Sequence, residues 1–347
     1  MNEKLITKFF KEKNILVTGG TGSIGSAIVK KLVEFSPETI RVFDISENSL
    51  FYLHETLKKY SNVRFLVGDI RDKNRLTRAT ENVDIIFNTA ALKHVPLCEG
   101  NPFEAVRTNV NGTQNVIDVA LERDVSQVMH ISTDKVVNTT NTLGASKLLS
   151  EKLVMAAQNY IGHKKTIFSC VRFGNVLGSN GSLLQLIAKQ LQQNEKPFIT
   201  DENMSRFLLT EEKAVDFILN ATVTQKGGKI FVPKMPSIMI KDLIKAIIEE
   251  LSKIYLIESV SPEISGIRIG EKLYEEIMTE YEFERCEEQE SMYIIPGELS
   301  STKIIPKQKI ELSSDKALKL SYQQVREIVL STIMKNKKTL LTNEGIN

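Results

Sequence analysis

The glycine-rich segment Thr18–Gly25, TGGTGSIG, constrains the fold of this chain more than any other stretch. It follows the apolar run NILVT and precedes a helical pattern, SAIVKKLVEF. Its glycines recur every third residue: Gly19 permits a tight turn, Gly22 lets a diphosphate approach the backbone, and Gly25 lets the helix pack closely on the strand. A diphosphate in that place lies at a helix N-terminus, where free N–H groups and the helix dipole favour anions. The segment therefore predicts a dinucleotide-binding βαβ unit, with cofactor contacts from Gly19, Thr21, Gly22, Ser23, Ile24 and Gly25.

Strand patterns alternate with helical patterns over the first half of the chain. This alternation predicts a parallel sheet with crossover helices. After the first strand, we predict strands at 39–44, 63–67, 83–88, 127–132 and 166–173, and helices at 26–35, 48–60, 103–123 and 144–160. The fold class is therefore α/β, a Rossmann-type doubly wound parallel sheet with a smaller C-terminal substrate-binding region.

The pattern changes after Asn175, where short strands and loops replace the regular alternation. We expect an NAD-binding domain at residues 1–175, with a return segment at about 210–232. Residues 176–209 and 233–335 form the expected substrate-binding region, and the polar tail at 336–347 is expected to fray.

Composition excludes several classes of function. A net charge of +2 does not indicate a nucleic-acid partner. The three cysteines lie far apart, which gives neither a metal-ligand spacing nor a disulfide framework and fits a reducing compartment. We find no apolar signal segment or apolar run long enough to cross a membrane. We therefore expect a cytoplasmic protein with no metal site and no membrane span.

Acidic and small residues end the predicted strands on the cofactor side. Asp44 ends the second strand, where a carboxylate accepts hydrogen bonds from the adenosine ribose and repels a 2′-phosphate, so NAD is favoured over NADP. The alternative is that Asp44 caps the following helix. Asp69 could bind the adenine amino group while Ile70 backs the ring. The small residues after the fourth strand, Ala90 and Ala91, would let the backbone approach the cofactor.

The segment STDKVVNTTNTLGASK resembles the Ser/Thr…Tyr-x-x-x-Lys signature of many nicotinamide enzymes, but only in part. Lys147 occupies the lysine position and should hydrogen-bond the nicotinamide ribose. Leu143 stands where the tyrosine is expected. The chain has therefore either lost activity or moved its proton chemistry to other residues.

Together these features resemble the extended short-chain dehydrogenase/reductases, and more closely the 4,6-dehydratases that act on UDP-N-acetylglucosamine in polysaccharide biosynthesis. The resemblance runs from about Asn14 to Glu276. Its most specific part is STDK beside LKHVP. The other matching segments are TGGTGSIG, GDIRD, NPFEAVRTNVNGTQNV, GASK, VRFGNVLGSNGS, MSRF and GIRIGEKLYEE. Some active members carry methionine at the position of Leu143, so the missing tyrosine does not imply an inactive protein.

The resemblance implies a redox-neutral elimination of water with a tightly bound, recycled NAD. Oxidation at C4 of the sugar acidifies the C5 proton, a base removes that proton, an acid protonates the departing C6 hydroxyl, and the hydride returns to C6. By resemblance, Lys135 is the C5 base and Asp134 the C6 acid. These roles require a neutral lysine and a protonated aspartate, which burial favours. With no tyrosine, Thr133 is the candidate contact for the C4 hydroxyl.

Further contacts are carried over from the same family. Lys93 could reach cofactor or sugar, and Asn109 is placed near the cofactor. Candidate contacts to the UDP-sugar are Lys93, Asn175, Arg206, Arg268 and Glu271, of which the two arginines suit the diphosphate. The family commonly has a proline where this chain has Ile269.

Several alternatives stay open at this stage. Some segments look like C5-retaining members and others like C5-inverting ones, and we favour inversion. A UDP-hexose 4-epimerase or a non-catalytic NAD-binding protein is the alternative to the dehydratase. We also expect a homo-oligomer, a dimer or a hexamer.

Overall fold

The computed structural model describes residues 3–179, 181–258, 260–297, 312–336 and 340. Its strands are β1 (Asn14–Thr18), β2 (Thr39–Asp44), β3 (Val63–Val67), β4 (Ile85–Asn88), β5 (Gln127–Ile131), β6 (Ile167–Val171), β7 (Asn175–Leu177), β8 (Phe198–Ile199), β9 (Ser205–Thr210), β10 (Lys229–Pro233), β11 (Ser237–Met239), β12 (Glu263–Ile264), β13 (Glu287–Glu288) and β14 (Met292–Pro296). Its α-helices are α1 (Glu3–Phe10), α2 (Ser23–Leu32), α3 (Glu47–Leu57), α4 (Lys73–Ala79), α5 (Val95–Gly100), α6 (Pro102–Ala105), α7 (Gly112–Glu122), α8 (Thr142–Ala157), α9 (Leu183–Gln192), α10 (Glu211–Thr224), α11 (Ile240–Tyr255), α12 (Glu280–Arg285) and α13 (Tyr322–Lys335).

The main sheet has nine strands in the order β13-β14-β10-β6-β5-β4-β1-β2-β3. From β10 to β3 every pairing is parallel, and at the edge the pairings of β14 with β10 and of β13 with β14 are antiparallel. The strands are almost entirely apolar because both faces of such a sheet are covered by helices. The predicted α/β class and the parallel Rossmann-type sheet are confirmed.

Three local features differ from the sequence prediction. The expected single helix over 103–123 contains a π-helical turn at Val106–Asn111, between α6 and α7. Several helices were not predicted, namely α1, α4, α5, α10, α12 and α13; of these α4 and α5 are short, and α5 has a proline in its first turn. The predicted strands over 83–88 and 166–173 are shorter than expected.

The chain divides into two compact units. The first comprises Met1–Phe173, Ala214–Lys234 and Met278–Gln308, as far as these are described. The sequence prediction assigned residues 278–308 to the substrate-binding region. The structure groups the described residues among them, 278–297, with the first unit, because β14 pairs with β10 along its whole length. That antiparallel partner is distant in sequence, so local pattern could not reveal it.

The second unit comprises Gly174–Lys213, Met235–Ile277 and Lys309–Asn347, within the described ranges. Strand β9 pairs with β7 and β11, and β8 pairs with β12. Its apolar core lies among α9, α11 and α13 and includes Leu340. Of the tail expected to fray, residues 337–339 and 341–347 lie outside the described residues, while Leu340 is buried.

A buried ionic cluster joins three elements of the first unit. Arg172, which follows β6, is 1% exposed. Its guanidinium donates to both carboxylate oxygens of Glu151 on α8, at 2.6 and 3.2 Å, and to both of Glu282 on α12, at 2.8 and 3.0 Å. Burial acts to raise the pKa of Glu282, but Arg172 outweighs it and lowers the pKa. The cluster therefore anchors the segment that contains α12 to α8, the helix that carries Lys147.

Among the described residues, no helix combines the length and the apolar character needed to cross a bilayer.

Replacing Arg172 with methionine should lower the free energy of unfolding by about 3–5 kcal/mol, because two carboxylates lose their buried partner. Urea denaturation followed by circular dichroism measures this. The matched control is Lys164→Met, which breaks an exposed pair with Asp124 and should cost no more than about 1 kcal/mol. A loss for Arg172→Met no larger than that of the control would contradict the stabilising role of the cluster.

Candidate functional site

The glycine loop between β1 and α2 is formed by close backbone contacts. Gly19 has φ of +64°, and a Cβ at this position would lie 2.7 Å from Cα of Ala90. A Cβ on Gly25 would lie 2.2 Å from the carbonyl oxygen of Gly19. Side chains at these two positions are excluded by backbone atoms, which cannot move aside as a flexible side chain can. The loop consequently lies directly against the end of β4, as the motif predicts.

The loop fits the diphosphate of a dinucleotide. Gly22 is the N-cap of α2 and has no side chain to satisfy the first N–H groups of the helix. Those N–H groups and the positive end of the helix dipole face the loop, and both favour the binding of an anion there. At the neighbouring strand end, Asp44 accepts from the backbone N–H of Thr21 and of Ser46, both at 3.0 Å. The side chain that caps α3 is that of Ser46, so the carboxylate of Asp44 is not needed as the helix cap.

The residues expected near the adenine have partners that sequence reasoning missed. Asp69 accepts from the backbone N–H and the guanidinium of Arg71, at 2.6–2.9 Å. Burial of the carboxylate acts to raise the pKa of Asp69, but the hydrogen bonds from Arg71 outweigh it and lower the pKa. Ile70 is buried, and a Cβ on Gly112 would lie 2.7 Å from its side chain. The adenine contacts of Asp69 and Ile70 remain predictions.

The loop after β4 is held from behind by Asn109. This residue is 1% exposed, and its amide bonds the N–H and the carbonyl of Leu92 and donates to Ser146 on α8 at 2.9 Å. Asn109 therefore fixes the backbone of this loop, and its expected contact with the cofactor remains a prediction. Ala90 and Ala91 are half-buried, whereas Lys93 is exposed in the same loop. Their cofactor contacts remain predictions.

The predicted catalytic residues Thr133, Asp134 and Lys135 form one turn after β5. Asp134 is fully buried, and its Oδ1 accepts from Thr133 Oγ1 and from Lys135 Nζ, both at 3.0 Å. The other oxygen, Oδ2, is buried and has no hydrogen-bond partner within the described chain. The backbone N–H of Asp134 donates to the carbonyl of Phe173, which ties the turn to the end of β6.

Helix α8 begins directly against this turn. A Cβ on Gly144 would lie 2.3 Å from the carbonyl oxygen of Lys135, so only glycine allows this approach. Leu143 is 5% exposed and packs with Cys98 and Ala105 in a small apolar cluster. The position of the expected tyrosine therefore contributes packing and no hydroxyl group.

Lys147 lies one helical turn further along α8 and is 6% exposed. Its Nζ donates to the carbonyl of Ile131 and lies 3.2 Å from Nε2 of the fully buried His130. Burial lowers the pKa of Lys147 to about 8. Sequence reasoning missed His130; the only available signal was an imidazole at the end of an apolar strand.

Apart from Lys93, the predicted substrate residues belong to the second unit, and their environments differ. Arg206 on β9 is 7% exposed and donates to the carbonyls of Lys272, Leu273 and Ser205 at 2.7–3.2 Å. Its guanidinium thus braces the segment after Glu271, which differs from the free phosphate fork we expected. Arg268 is partly exposed, lies 5.3 Å from the ring centroid of Phe198, and is 3.9 Å from Glu271. Asn175 is exposed on β7.

Comparisons with known proteins agree with this geometry. The sequence profile of the family described as "Polysaccharide biosynthesis protein" matches residues 15–297. A UDP-N-acetylglucosamine 4,6-dehydratase (inverting) of Campylobacter jejuni is 41% identical over 283 residues, 79% of this chain and 82% of its own. An uncharacterized membrane protein of Methanocaldococcus jannaschii is 52% identical over 292 residues, 84% and 87% of the two chains. A UDP-glucose 4-epimerase of Rickettsia bellii is 35% identical over 93% of this chain and 96% of its own.

Solved structures give the same result for the fold. The structure of Pen from Bacillus thuringiensis is 41% identical, has a TM-score of 0.90, and overlaps 96% of this chain and all of its own. A dTDP-glucose 4,6-dehydratase of Streptomyces venezuelae, with NAD bound, has a TM-score of 0.71 at 21% identity, with 94% and 98% of the two chains covered. The second similarity shows the fold alone.

Replacing Gly25 with alanine should remove retained dinucleotide, because the new Cβ would collide with the backbone of the loop. The expected result is a purified protein with less than about a tenth of the wild-type nucleotide content. The measurement is nucleotide released by acid and quantified by chromatography. Gly100→Ala is the control, since a Cβ there meets nothing within 4 Å. Equal nucleotide content in both variants would rule out this loop as the binding site.

Proposed function

Because the chain belongs to the polysaccharide biosynthesis protein family and to the extended short-chain dehydrogenase/reductases, we propose that it is an NAD-dependent UDP-N-acetylglucosamine 4,6-dehydratase. The observation that carries the proposal is the paired Asp134 and Lys135 at the carboxyl end of β5. Ligands bind at that edge of a doubly wound sheet. The product would be a UDP-4-keto-6-deoxy-N-acetylhexosamine.

NAD is the proposed cofactor, held by the glycine loop and Asp44. The chemistry that a bound NAD supplies is removal of hydride from C4 and its return to C6. The cycle is redox-neutral, so a tightly held cofactor needs no second substrate. Asp44 supports NAD over NADP because its carboxylate would repel a 2′-phosphate.

The chain's own residues would carry the proton transfers. Lys135 takes the C5 proton once C4 is a ketone, and Asp134 protonates the C6 hydroxyl as it leaves. The contact of 3.0 Å between Lys135 Nζ and Asp134 Oδ1 lets a proton be shared within the pair. The unpartnered Oδ2 of Asp134 is the group that could donate to a leaving hydroxyl. Thr133, bonded to Asp134, would orient the C4 hydroxyl.

Substrate recognition is proposed for residues of the second unit and for Lys93. Arg268, Asn175 and Glu271 expose polar groups that suit a UDP-sugar. For Arg206 the role is reduced to bracing the 272–273 segment, because its donors already bind carbonyl groups. We further propose inversion at C5, which the name of the Campylobacter relative supports. We also propose that the protein is cytoplasmic and forms a homo-oligomer, either a dimer or a hexamer.

A UDP-hexose 4-epimerase is the second candidate, favoured by the Rickettsia relative, which matches along nearly its whole length. Epimerisation needs a proton acceptor at C4 but no acid and base for elimination. The buried Asp134–Lys135 pair would then have no function, and Leu143 offers no hydroxyl. These two features favour the dehydratase.

The deciding experiment is proton NMR of the purified protein with UDP-N-acetylglucosamine in deuterated water, with no added reductant. A dehydratase should produce a new C6 methyl signal and deuterium at C5, and ring couplings then report the C5 configuration. A C4 epimer with no methyl signal would establish the epimerase instead. An unchanged sugar with NAD present would refute both for this substrate.

Replacing Lys135 with alanine should reduce turnover by at least about a thousandfold while substrate binding stays within about threefold, because the C5 base is removed. Kinetics and calorimetry measure the two effects. The exposed Lys164→Ala variant is the control and should behave as wild type. Unchanged turnover of Lys135→Ala would refute the role of Lys135 as the base.

A further inference from the structure

A row of polar side chains crosses the sheet beneath Lys147. The register pairs Thr18 with Asn88, Asn88 with His130, and His130 with Cys170 on neighbouring parallel strands. Paired residues of adjacent strands point to the same face. All four side chains are 0–1% exposed. A polar row of this kind in the centre of an apolar sheet is costly unless its members are hydrogen-bonded.

Three members of the row, Thr18, Asn88 and His130, form a continuous series of hydrogen bonds that ends at Lys147. Thr18 Oγ1 lies 2.8 Å from Asn88 Oδ1, and Asn88 Nδ2 lies 3.0 Å from Nδ1 of His130 and 3.3 Å from Thr113 Oγ1. On the other side of the imidazole, Nε2 lies 3.2 Å from Lys147 Nζ.

The donors and acceptors in this series of hydrogen bonds can be assigned in two opposite directions. Each direction requires a different protonation state of Lys147. If the Asn88 amino group donates to Nδ1, the imidazole proton is on Nε2 and Lys147 must accept it, so the lysine is a neutral amine. If Lys147 is an ammonium, it donates to Nε2, the proton lies on Nδ1, and the Asn88 amide turns so that its oxygen accepts. The hydroxyl groups of Thr18 and Thr113 can donate or accept and therefore suit both directions.

We propose that His130, with Asn88 behind it, is a positioning residue that keeps Lys147 hydrogen-bonded in both protonation states and changes tautomer when Lys147 gains or loses a proton. No buried polar group is then left unsatisfied when Lys147 titrates, so the cost of moving a proton at this buried site is reduced.

The electrostatics of the site agree with this geometry. Burial and the neighbouring Lys147 hold the pKa of His130 well below its usual value, so the imidazole stays neutral while it changes tautomer. Burial lowers the pKa of Lys147 to about 8, and the groups facing it are His130 on β5, Cys170 on β6 and Glu151 on α8, of which the last two oppose the shift. Lys147 therefore titrates close to neutral pH.

The consequence for catalysis rests on the proposed dehydratase. When the hydride leaves C4, the O–H bond of the C4 hydroxyl breaks, its electron pair forms the carbonyl, and the proton needs an acceptor. The single lone pair of a neutral Lys147 accepts from Nε2–H of His130 at rest; when that lone pair turns to the C4 hydroxyl, directly or through Thr133, it takes the proton and Lys147 becomes an ammonium. His130 then loses the proton on Nε2 and gains one on Nδ1, so the imidazole stays neutral and the pair as a whole has gained only the C4 proton. Lys147 and His130 would in this way replace the tyrosine that Leu143 lacks.

The test is nitrogen NMR of the purified protein labelled with 15N-histidine, titrated from about pH 6 to about pH 10. The chain has only four histidines, so the signals of His130 are identified by their loss in His130→Phe, or in His130→Gln if the first variant fails to fold. We expect the Nε2–H tautomer above a midpoint near pH 8 and the Nδ1–H tautomer below it, with no imidazolium. In Lys147→Met the reversal should disappear.

A single tautomer across the whole range, a protonated imidazole, or a reversal that persists in Lys147→Met would overturn the proposal. This readout uses no sugar nucleotide, so a failure of the dehydratase assignment leaves it intact. Turnover gives a second measure. His130→Phe should lower kcat at least about tenfold with KM unchanged, while His130→Gln, whose amide can both donate and accept, should stay within about threefold.

Discussion

The parallel register of β1, β4, β5 and β6 is the constraint on which the site depends. Parallel strands end at the same edge of the sheet, so the glycine loop after β1, the small residues after β4 and the Thr133–Lys135 turn after β5 share that edge. The same register places Asn88 beside His130 on one face. A shift of one residue in β5 would turn His130 to the opposite face and separate it from Lys147. The edge that carries the proposed catalytic turn and the buried polar row are thus two results of one pairing pattern.

Helix α8 packs against the strand ends that this register aligns, and it places three residues beside them. Its first turn lies against the carbonyl of Lys135, its second turn brings Lys147 to His130, and its next turn carries Glu151 to Arg172. Each of these contacts is buried, so each polar group requires a specific partner and tolerates little displacement. The helix is therefore held in place by hydrogen bonds and ion pairs in addition to apolar packing, and these contacts fix the position of Lys147.

Much of the site was predictable because its signals are local. Three of its features can each be recognised within a few residues of sequence. They are a glycine spaced for a tight turn, an acid at the end of the next strand, and a turn with Thr133, Asp134 and Lys135. Arg206 shows what such local reasoning cannot provide, namely the hydrogen-bond partners of a side chain. An arginine in a loop-rich region suits a phosphate by charge alone, but its five donors can equally be used by carbonyl groups, and only the fold shows that Lys272 and Leu273 provide them. The hydrogen-bond partners of Asn109 could not be predicted for the same reason.

The sequence alone determined the class of fold, the dinucleotide loop and the identity of the residues after β5, because these follow from periodicity and short-range spacing. The tertiary structure decided which buried polar groups are partners: Arg172 with Glu151 and Glu282, and His130 with Lys147 and Asn88. It also decided that the segment ending in β14 joins the main sheet. These contacts join residues that are distant along the chain, and their energies depend on burial, which arises only when the chain has folded.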